Sequence, residues 1–422
     1  MSEQPPAAGI CMSQPHHDSV ETPFGWVILA ASLAVITAAV ASNYLVVIGI
    51  KPMAEAMGWP RWVTSSAYSV MAIGAGIGGI LVGLYADKRG IALPLAVAGF
   101  SFAAGGVLVS QNDDPVLLIL ICFVFLGVCG NGAVFSPLIA NTTRWFDRRR
   151  GIAVAIVMGG QNLSGALWSP TFEAAFQEIG WRQTWLIYGL LVALVLVPFS
   201  FVFRRMPPQV AAGKTPPPER HAIESRFHPL VVQGLLCMAI IGCCVAMAMP
   251  VVHIAAYCSD LGFGLDDGAL MLSVLLTCGF ISRMVFGVVS DRIGGLMTIF
   301  IGASLQCLAL ALYTFIDSLM GLYLVSGLFG LVFGGIVPSY ALATRQLFPA
   351  SQAAARIGVI FMAGYIGMAG GGFAGGVIFD LTLDYKMAFM TGVVFNVINL
   401  ICLALLLLSR GKREPLVLQP AE

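Results

Sequence analysis

Charged residues are scarce in this chain of 422 residues: 22 are Lys or Arg, 21 are Asp or Glu, and together they make up 10%. Soluble globular chains carry about 25%, and 58% of this sequence is hydrophobic. A water-soluble fold around one core is therefore excluded, and we expect an all-α integral membrane protein embedded in a lipid bilayer. The net charge of +1 and the lack of a basic run exclude a typical nucleic-acid-binding surface.

Other kinds of site are also missing from the sequence. The ten cysteines fall mostly within apolar stretches and lack zinc-like or redox spacing, which indicates packing rather than a metal site or a disulfide framework. No nucleophile is paired with a base, so we expect neither an enzyme nor a cofactor. Residues 1–23 are polar and contain Pro, unlike a signal peptide, and are predicted to form a disordered cytoplasmic tail.

Apolar stretches of about 20 residues, the length that crosses a bilayer, occur twelve times. The longest interruption, 204–228, is charged and Pro-rich and is predicted to be a cytoplasmic linker. Residues 24–203 and 229–409 are then two pseudo-symmetric bundles of six transmembrane helices, and 410–422 is a second cytoplasmic tail. The predicted spans are 24–50, 62–84, 91–111, 115–141, 151–178, 183–203, 229–258, 267–290, 296–316, 319–342, 353–380 and 385–409.

The distribution of Lys and Arg predicts the orientation of these spans. With the amino terminus inside, 17 of these residues fall in inner segments and four in outer loops. Positive residues accumulate in cytoplasmic loops, so both termini are predicted to lie on the cytoplasmic side of a cytoplasmic membrane.

Two correspondences reveal an internal repeat. GLYADKRG at 83–90 matches GVVSDRIG at 287–294, and FSPLIANTTRWF at 135–146 matches VPSYALATRQLF at 337–348. The offsets of 204 and 201 equal one six-span half. Two six-span repeats in one chain are typical of a carrier whose halves rock about a site at the middle of the membrane.

Arg283 is the one Lys or Arg that lies deep within a predicted span, in MLSVLLTCGFISRMVFGVVSD. A charge at this depth costs about 2.5–3.5 kcal/mol on insertion scales. No acidic residue lies deep in an apolar segment to pair with it, and a guanidinium holds a carboxylate through two parallel hydrogen bonds. The sequence predicts a carboxylate substrate at Arg283. The alternative is that Arg283 reaches the interface or bonds the carbonyls of a broken helix.

The repeated G-x-x-x-D-[KR]-x-G element resembles that of the major facilitator superfamily, and the resemblance extends over residues 24–409. Gly25-Trp26, WFDRRRGIAVAIVMGGQNLSG at 145–165, HIAAYCSDLG at 253–262 and residues 345–380 are similar to the monocarboxylate porters and oxalate/formate carriers. The resemblance implies that Arg283 binds the substrate carboxylate. It also implies a second cation in span 11 of dicarboxylate carriers. This chain has Tyr365 there and no Lys, which favours a monocarboxylate.

Proton coupling is less directly indicated. The related animal porters share a Lys in span 1 and an Asp one turn before the span 8 Arg, where this chain has Tyr44 and Gly279. His253, the one histidine inside a predicted span, is a candidate proton carrier because imidazole titrates near pH 6.5. The alternative is a hydrogen-bonded core histidine that shapes an outer gate with Tyr257.

Polar residues within other spans are candidates to complete the substrate site, because amides and phenols orient a ligand without adding charge. Each could equally bond a neighbouring helix. The candidates are Asn43, Tyr44, Asn131, Gln161, Asn162, Tyr340 and Tyr365.

Charged residues at the inner ends of spans are predicted to act as a latch that holds the outward-facing state. They are Asp87, Arg89, Arg144, Asp291, Arg292 and Arg345. We thus expect a monomeric carrier of a small organic monocarboxylate, with a proton as a candidate co-substrate. The alternatives are an efflux carrier for apolar drugs or metabolites, in which Arg283 is structural, and a membrane sensor that binds a carboxylate without moving it.

Overall fold

The structure, a computed structural model, describes residues 21–146, 149–205 and 226–409. The predicted tail at 410–422, most of the predicted amino-terminal tail and most of the linker lie outside the described residues. Within the described ranges, the description also leaves out the side chains of Asp87, Arg150, Gly151, Ala350, Ser351 and Ala354. The described part of the chain is all-helical and contains no strand.

The first half of the chain contains six spans. Span 1 consists of the helices Pro23–Ala39 and Ala41–Met57. Span 2 is Arg61–Arg89 and span 3 is Ala92–Ser110. Span 4 is made of Pro115–Ile121, a π-helix at Cys122–Asn131, and Gly132–Thr142. Spans 5 and 6 lie within Arg150–Val202.

Gly180 separates spans 5 and 6. The continuous apolar segment Ile152–Val202 has 51 residues, about 77 Å of helix at 1.5 Å per residue, whereas a bilayer core is about 30 Å thick. At Gly180 the backbone leaves the helical region, with φ 77° and ψ 162°, a conformation that glycine adopts without steric cost. The eleven apolar helices of the described residues therefore make twelve crossings, as the sequence predicts.

The second half repeats this arrangement. Span 7 is Pro229–Asp260, span 8 is Leu265–Ile293 and span 9 is Gly295–Leu312. Span 10 is divided into Leu319–Phe333 and Ile336–Leu347. Span 11 is Ala350–Thr382 and span 12 is Lys386–Leu408.

The helix contacts confirm the internal repeat. In the first half, span 1 packs on span 5, span 2 on span 4 and span 3 on span 6; in the second half, span 7 packs on span 11, span 8 on span 10 and span 9 on span 12. These pairs correspond one to one. The halves meet through spans 1 and 7, spans 2 and 11, and spans 5 and 8, so a site between the halves is bordered by both repeats.

Glycines allow close approaches between paired spans within each half. Gly132 lies against Gly78 where span 4 crosses span 2, and Gly334 lies against Gly279 where span 10 crosses span 8. The two contacts are related by the repeat. Small residues allow main chains in a membrane to approach closely, and both span 4 and span 10 lose regular α-helical structure at this point.

Candidate functional site

A cavity lies between the halves and is lined by spans 1, 2, 4, 5 and 11. Its empty volume is about 500 Å³. The lining combines amides and phenols with apolar side chains, and none of the lining residues is charged. The residues are Val40, Asn43, Tyr68, Ala72, Ala75, Asn131, Phe135, Gln161, Tyr365 and Met368.

Four of the residues predicted from the sequence share this cavity: Asn43, Asn131, Gln161 and Tyr365. They come from four different spans, so the fold brings together side chains that are far apart in sequence. Tyr68 was missed by the sequence reasoning. The available signal was its position in the polar stretch TSSAYS at 64–69 of span 2.

Arg283 lies beside this cavity, at the contact between the two halves. Its side chain is 8% exposed. Nε donates to the carbonyl of Gly334 at 3.1 Å, and Nη1 donates to the carbonyl of Met158 at 2.5 Å. Met158 precedes the cavity residue Gln161 by about one helical turn. Among the described residues, no acidic side chain forms an ion pair with Arg283.

The carbonyl that Arg283 contacts in its own half belongs to the break in span 10. The helix stops at Phe333 and resumes at Ile336, so the Gly334 carbonyl is available to a side chain. A hydrogen bond from Arg283 to a carbonyl of a broken helix is the alternative to substrate binding that the sequence leaves open, and this contact is such a bond. It places the guanidinium at the junction of spans 5, 8 and 10.

Tyr44 and Asn162 lie next to Arg283 rather than in the cavity lining. The Tyr44 hydroxyl donates to the Gln161 carbonyl at 3.2 Å, and the phenol is within electrostatic range of Arg283. Asn162 Nδ2 is 3.5 Å from the carbonyl of Leu276 on span 8. Asn162 therefore helps to form the contact between the halves that Arg283 crosses, whereas the Tyr44 hydrogen bond joins spans 1 and 5 within the first half.

Tyr340 is not brought to the cavity. Its side chain is fully buried, and its hydroxyl donates to Asn399 Oδ1 at 3.0 Å. Asn399 in turn donates to Asn396, which donates to the Ala303 carbonyl. Tyr340 thus belongs to a polar chain that ties spans 9, 10 and 12 together within the second half.

His253 is fully buried on span 7, away from the cavity lining. Its Nε2 is 3.0 Å from the carbonyl of Gly372 on span 11, and its ring stacks on Tyr385 with centroids 5.2 Å apart. Nδ1 has no hydrogen-bond partner among the described residues. Tyr257, which the gate alternative names, contacts the same Tyr385 ring edge-on.

Tyr385 connects His253 to a group of charged residues at the predicted outer ends of the spans. We call Lys51, Arg61 and Asp260 the outer latch. Arg61 donates to both carboxylate oxygens of Asp260 and, at 3.2 Å, to the Tyr385 hydroxyl. Lys51 Nζ lies 2.9 Å from Asp260 Oδ1. Since Lys51 and Arg61 belong to the first half and Asp260 to the second, the outer latch joins the halves.

A second contact reinforces the outer latch. The carboxylate of Asp380, on span 11, accepts hydrogen bonds from the main-chain N–H groups of Arg61 and Trp62 at 3.0 and 2.8 Å. Free N–H groups at a helix start favour a carboxylate. Asp380 therefore caps span 2 from the opposite half.

Within the second half, Lys386 donates to Asp317 at 2.7 Å on the same predicted outer side. This contact holds the pKa of the Asp317 carboxyl below its usual value.

The structure describes only part of the predicted inner latch. Arg89, Asp291, Arg292 and Arg345 are exposed, and no ion pair among the described residues joins these four to one another. The side chain of Asp87 lies outside the description. Arg144 is exposed at the end of span 4. The contacts between the halves thus close the predicted outer side, which is the opposite of the state in which the inner latch is expected to form.

Comparisons with known proteins agree with this architecture. The family whose profile matches the chain is described as the Major Facilitator Superfamily, and the match covers residues 30–372 and 234–422.

Two curated relatives illustrate the range of similar sequences. The MFS-type transporter pynF of Aspergillus niger is 26% identical over 275 residues, which are 65% of this chain and 62% of that protein. Monocarboxylate transporter 13 of Bos taurus is 23% identical over 339 residues, which are 79% of this chain and 77% of that protein. The chain therefore matches less than two thirds of pynF.

The fold also matches a solved structure. A bacterial homologue of the human lysosomal transporter Spinster, in an inward-facing and unoccupied conformation, has a TM-score of 0.70 at 12% identity. The match covers 93% of this chain and 100% of that chain.

Proposed function

Because this chain belongs to the Major Facilitator Superfamily, we propose that it is a secondary transporter that carries a small organic monocarboxylate across the cytoplasmic membrane. The two repeated halves expose the site between them to one side of the membrane and then to the other. The closed outer latch and the exposed charges at the inner ends support an inward-facing arrangement, in which both termini are cytoplasmic.

The buried guanidinium of Arg283 is the observation that carries this proposal. It lies at the contact between the halves, beside an uncharged polar cavity, and its described partners are two main-chain carbonyls. Neutral acceptors satisfy N–H groups but do not neutralise the charge, and uncompensated charge in a membrane is costly. A substrate carboxylate supplies the missing negative charge when it replaces one of these carbonyls.

The uncharged cavity favours a substrate with one carboxylate. Amides and phenols supply its polar groups, and Phe135 and Met368 supply apolar contacts. A second carboxylate would enter this cavity without a cation to balance it, which carries a large desolvation cost. The similarity to proteins named monocarboxylate transporters supports the same assignment.

Uptake of a monoanion into a negative interior costs about 2.3 kcal/mol per 100 mV. Import therefore needs a co-transported cation, and we propose a proton carried through His253. This buried imidazole is linked to the outer latch through Tyr385, so a change in its protonation acts next to the groups that close the predicted outer side.

Transport by the purified protein tests the role of Arg283. Labelled monocarboxylates are offered to proteoliposomes that contain the wild type or Arg283→Gln, with an inward proton gradient. We expect the variant to lose transport by about 10- to 100-fold, because hydrogen bonds to charged groups contribute about 1.5–3 kcal/mol. Size-exclusion chromatography of each variant verifies that it is folded.

Arg182→Gln is the matched control, because Arg182 pairs with the exposed Asp113 within the first half and lies away from the cavity. Its transport rate is expected to match the wild type. Normal transport of the acids by Arg283→Gln would refute the carboxylate role and make the carbonyl bonds of Arg283 structural. Failure of the wild type to move any acid would favour efflux of apolar compounds. Binding of an acid without movement across the membrane would favour a sensor.

A further inference from the structure

Asn131 has a side-chain oxygen that the protein leaves without a hydrogen-bond partner. The residue lines the cavity and is 3% exposed. Its Nδ2 donates to Ser42 Oγ at 2.9 Å, whereas its Oδ1 has no partner among the described residues. Buried polar atoms are nearly always hydrogen-bonded, and an exception requires an explanation.

The hydrogen bonds around Ser42 determine which atom of the amide is free. The Ser42 hydroxyl donates its proton to the Ala39 carbonyl at 2.9 Å. A hydroxyl has one proton, and with that proton on the Ala39 carbonyl, Ser42 Oγ accepts from the NH₂ group of Asn131. The unpartnered atom is therefore an acceptor, and it requires a donor.

The local backbone gives a second reason to regard Asn131 as functional. It is the last residue of the π-helix Cys122–Asn131. π-Helical segments are rare and occur frequently at functional sites. In this chain the π-helix ends where Gly132 packs against Gly78, so the irregular segment brings the asparagine to the cavity wall at the contact with span 2.

We propose that Asn131 Oδ1 accepts a hydrogen bond from a hydroxyl or N–H group of the transported acid. This inference rests on the proposed function and narrows the substrate to carboxylic acids that also carry a hydrogen-bond donor. Arg283 binds the carboxylate, and Asn131 distinguishes a donor-bearing acid from its plain alkyl or aryl parent. Asn131 is then a specificity-determining residue.

Matched acids test this selectivity in proteoliposomes. One set is 4-hydroxybenzoate, 4-methoxybenzoate and benzoate, in which only the first carries a donor; a second pair is lactate and propionate. For at least one set, we expect the wild type to transport the hydroxylated acid with a kcat/KM about tenfold above that of its parent and of the methoxy acid, since one hydrogen bond gives a difference of this order.

Two variants assign the discrimination to Oδ1. Asn131→Leu keeps a similar side-chain size and removes the acceptor, so the ratio is expected to fall to about one. Ser42→Ala removes the partner of Nδ2 but retains Oδ1, so the ratio is expected to persist. If Asn131→Leu does not fold, the ratios measured for the wild type still show whether acids with a hydrogen-bond donor are preferred.

The inference is overturned if the wild type carries both members of every set equally well, or if Asn131→Leu retains the ratio. The Arg283→Gln variant distinguishes a failure of this inference from a failure of the proposed function. Normal transport by that variant with the ratio intact would remove the carboxylate role of Arg283 and leave the role of Asn131 standing. Failure of the wild type to transport any of the acids would overturn both proposals.

Discussion

At the scale of single residues, His253 offers the sharpest test of proton coupling. In His253→Gln, an amide N–H replaces the imidazole donor to the Gly372 carbonyl, but the side chain at this position can no longer gain or lose a proton. We expect an inward proton gradient to stop driving accumulation of the acid. Exchange of labelled for unlabelled acid, which needs no net proton movement, is expected to continue. Both are measured in the same proteoliposomes.

His228→Gln is the corresponding control, because His228 is an exposed residue at the start of span 7, where its Nδ1 accepts from the Leu230 N–H. It should leave accumulation and exchange unchanged. Wild-type accumulation by His253→Gln would exclude a proton role. Loss of exchange as well as accumulation would instead indicate that His253 is needed for packing against Tyr385.

The sequence identified more of the cavity than of the contacts around it. Asn43, Asn131, Gln161 and Tyr365 line one cavity, whereas Tyr340 is buried in the second half. The reason is physical: these spans are apolar on all sides, so hydrophobic periodicity does not distinguish a face that borders a cavity from one that packs on another helix. A polar residue in a span predicts a partner, but not whether that partner is a substrate or a neighbouring helix.

At the scale of helices, the contact between spans 2 and 4 depends on the absence of side chains. A Cβ at Gly78 would lie 2.1 Å from the Val128 carbonyl oxygen. Because that oxygen belongs to the main chain of the irregular span 4, it cannot move aside cheaply. We expect Gly78→Ala to lower the thermal stability of the purified protein or to prevent folding, as measured by thermal unfolding and size-exclusion chromatography.

Gly83 provides the control on the same helix. A Cβ there would meet no atom within 4 Å, and alanine is about 0.5–1 kcal/mol more favourable than glycine in a helix interior. Gly83→Ala should therefore be at least as stable as the wild type. Equal stability of the two variants would mean that spans 2 and 4 can separate without cost.

The breaks in spans 4 and 10 could be located only in part from the sequence. The repeat of FSPLIANTTRWF in VPSYALATRQLF relates these spans, but it begins just after both breaks. The π-helix and the gap at Gly334 lie where these spans pack closely against spans 2 and 8, and local sequence does not specify tertiary contacts. Discontinuous helices often form the substrate sites of carriers, and here the breaks supply Asn131 and the carbonyl that contacts Arg283.

At the scale of the whole molecule, the twelve spans and the two related halves were predictable because bilayer thickness and internal repeats leave direct traces in a sequence. The side of the membrane on which the two halves are closed was not predictable. A carrier occupies at least two states, and one sequence encodes both, so residue patterns do not reveal which latch is formed. Arg61 lies between the predicted spans 24–50 and 62–84, whereas its partners Asp260 and Asp380 lie about 200 and 320 positions further along the chain.

The outer latch should control how often the predicted outer side opens. Asp260→Asn removes the carboxylate between Lys51 and Arg61, both less than one fifth exposed. Arg61 then loses its carboxylate partner, and Lys51 keeps only the longer ion pair with Glu55 at 3.9 Å. If the closed state loses about 2 kcal/mol of stability relative to the open state, the equilibrium between the two states shifts about 30-fold toward the open state. Ser65→Cys reports this change, because Ser65 is fully buried beside Gly376 at the contact between spans 2 and 11.

We expect Asp260→Asn to accelerate labelling of Cys at position 65 by a membrane-impermeant thiol reagent applied from outside, by tenfold or more. Protein without Ser65→Cys corrects for native cysteines. Asp113→Asn breaks an ion pair on the same predicted side, but that pair joins residues of one half and should not affect labelling. Equal labelling rates with and without Asp260 would mean that the aromatic contacts among Phe379, Tyr385 and the Arg61 guanidinium, rather than the ion pair, keep this side closed.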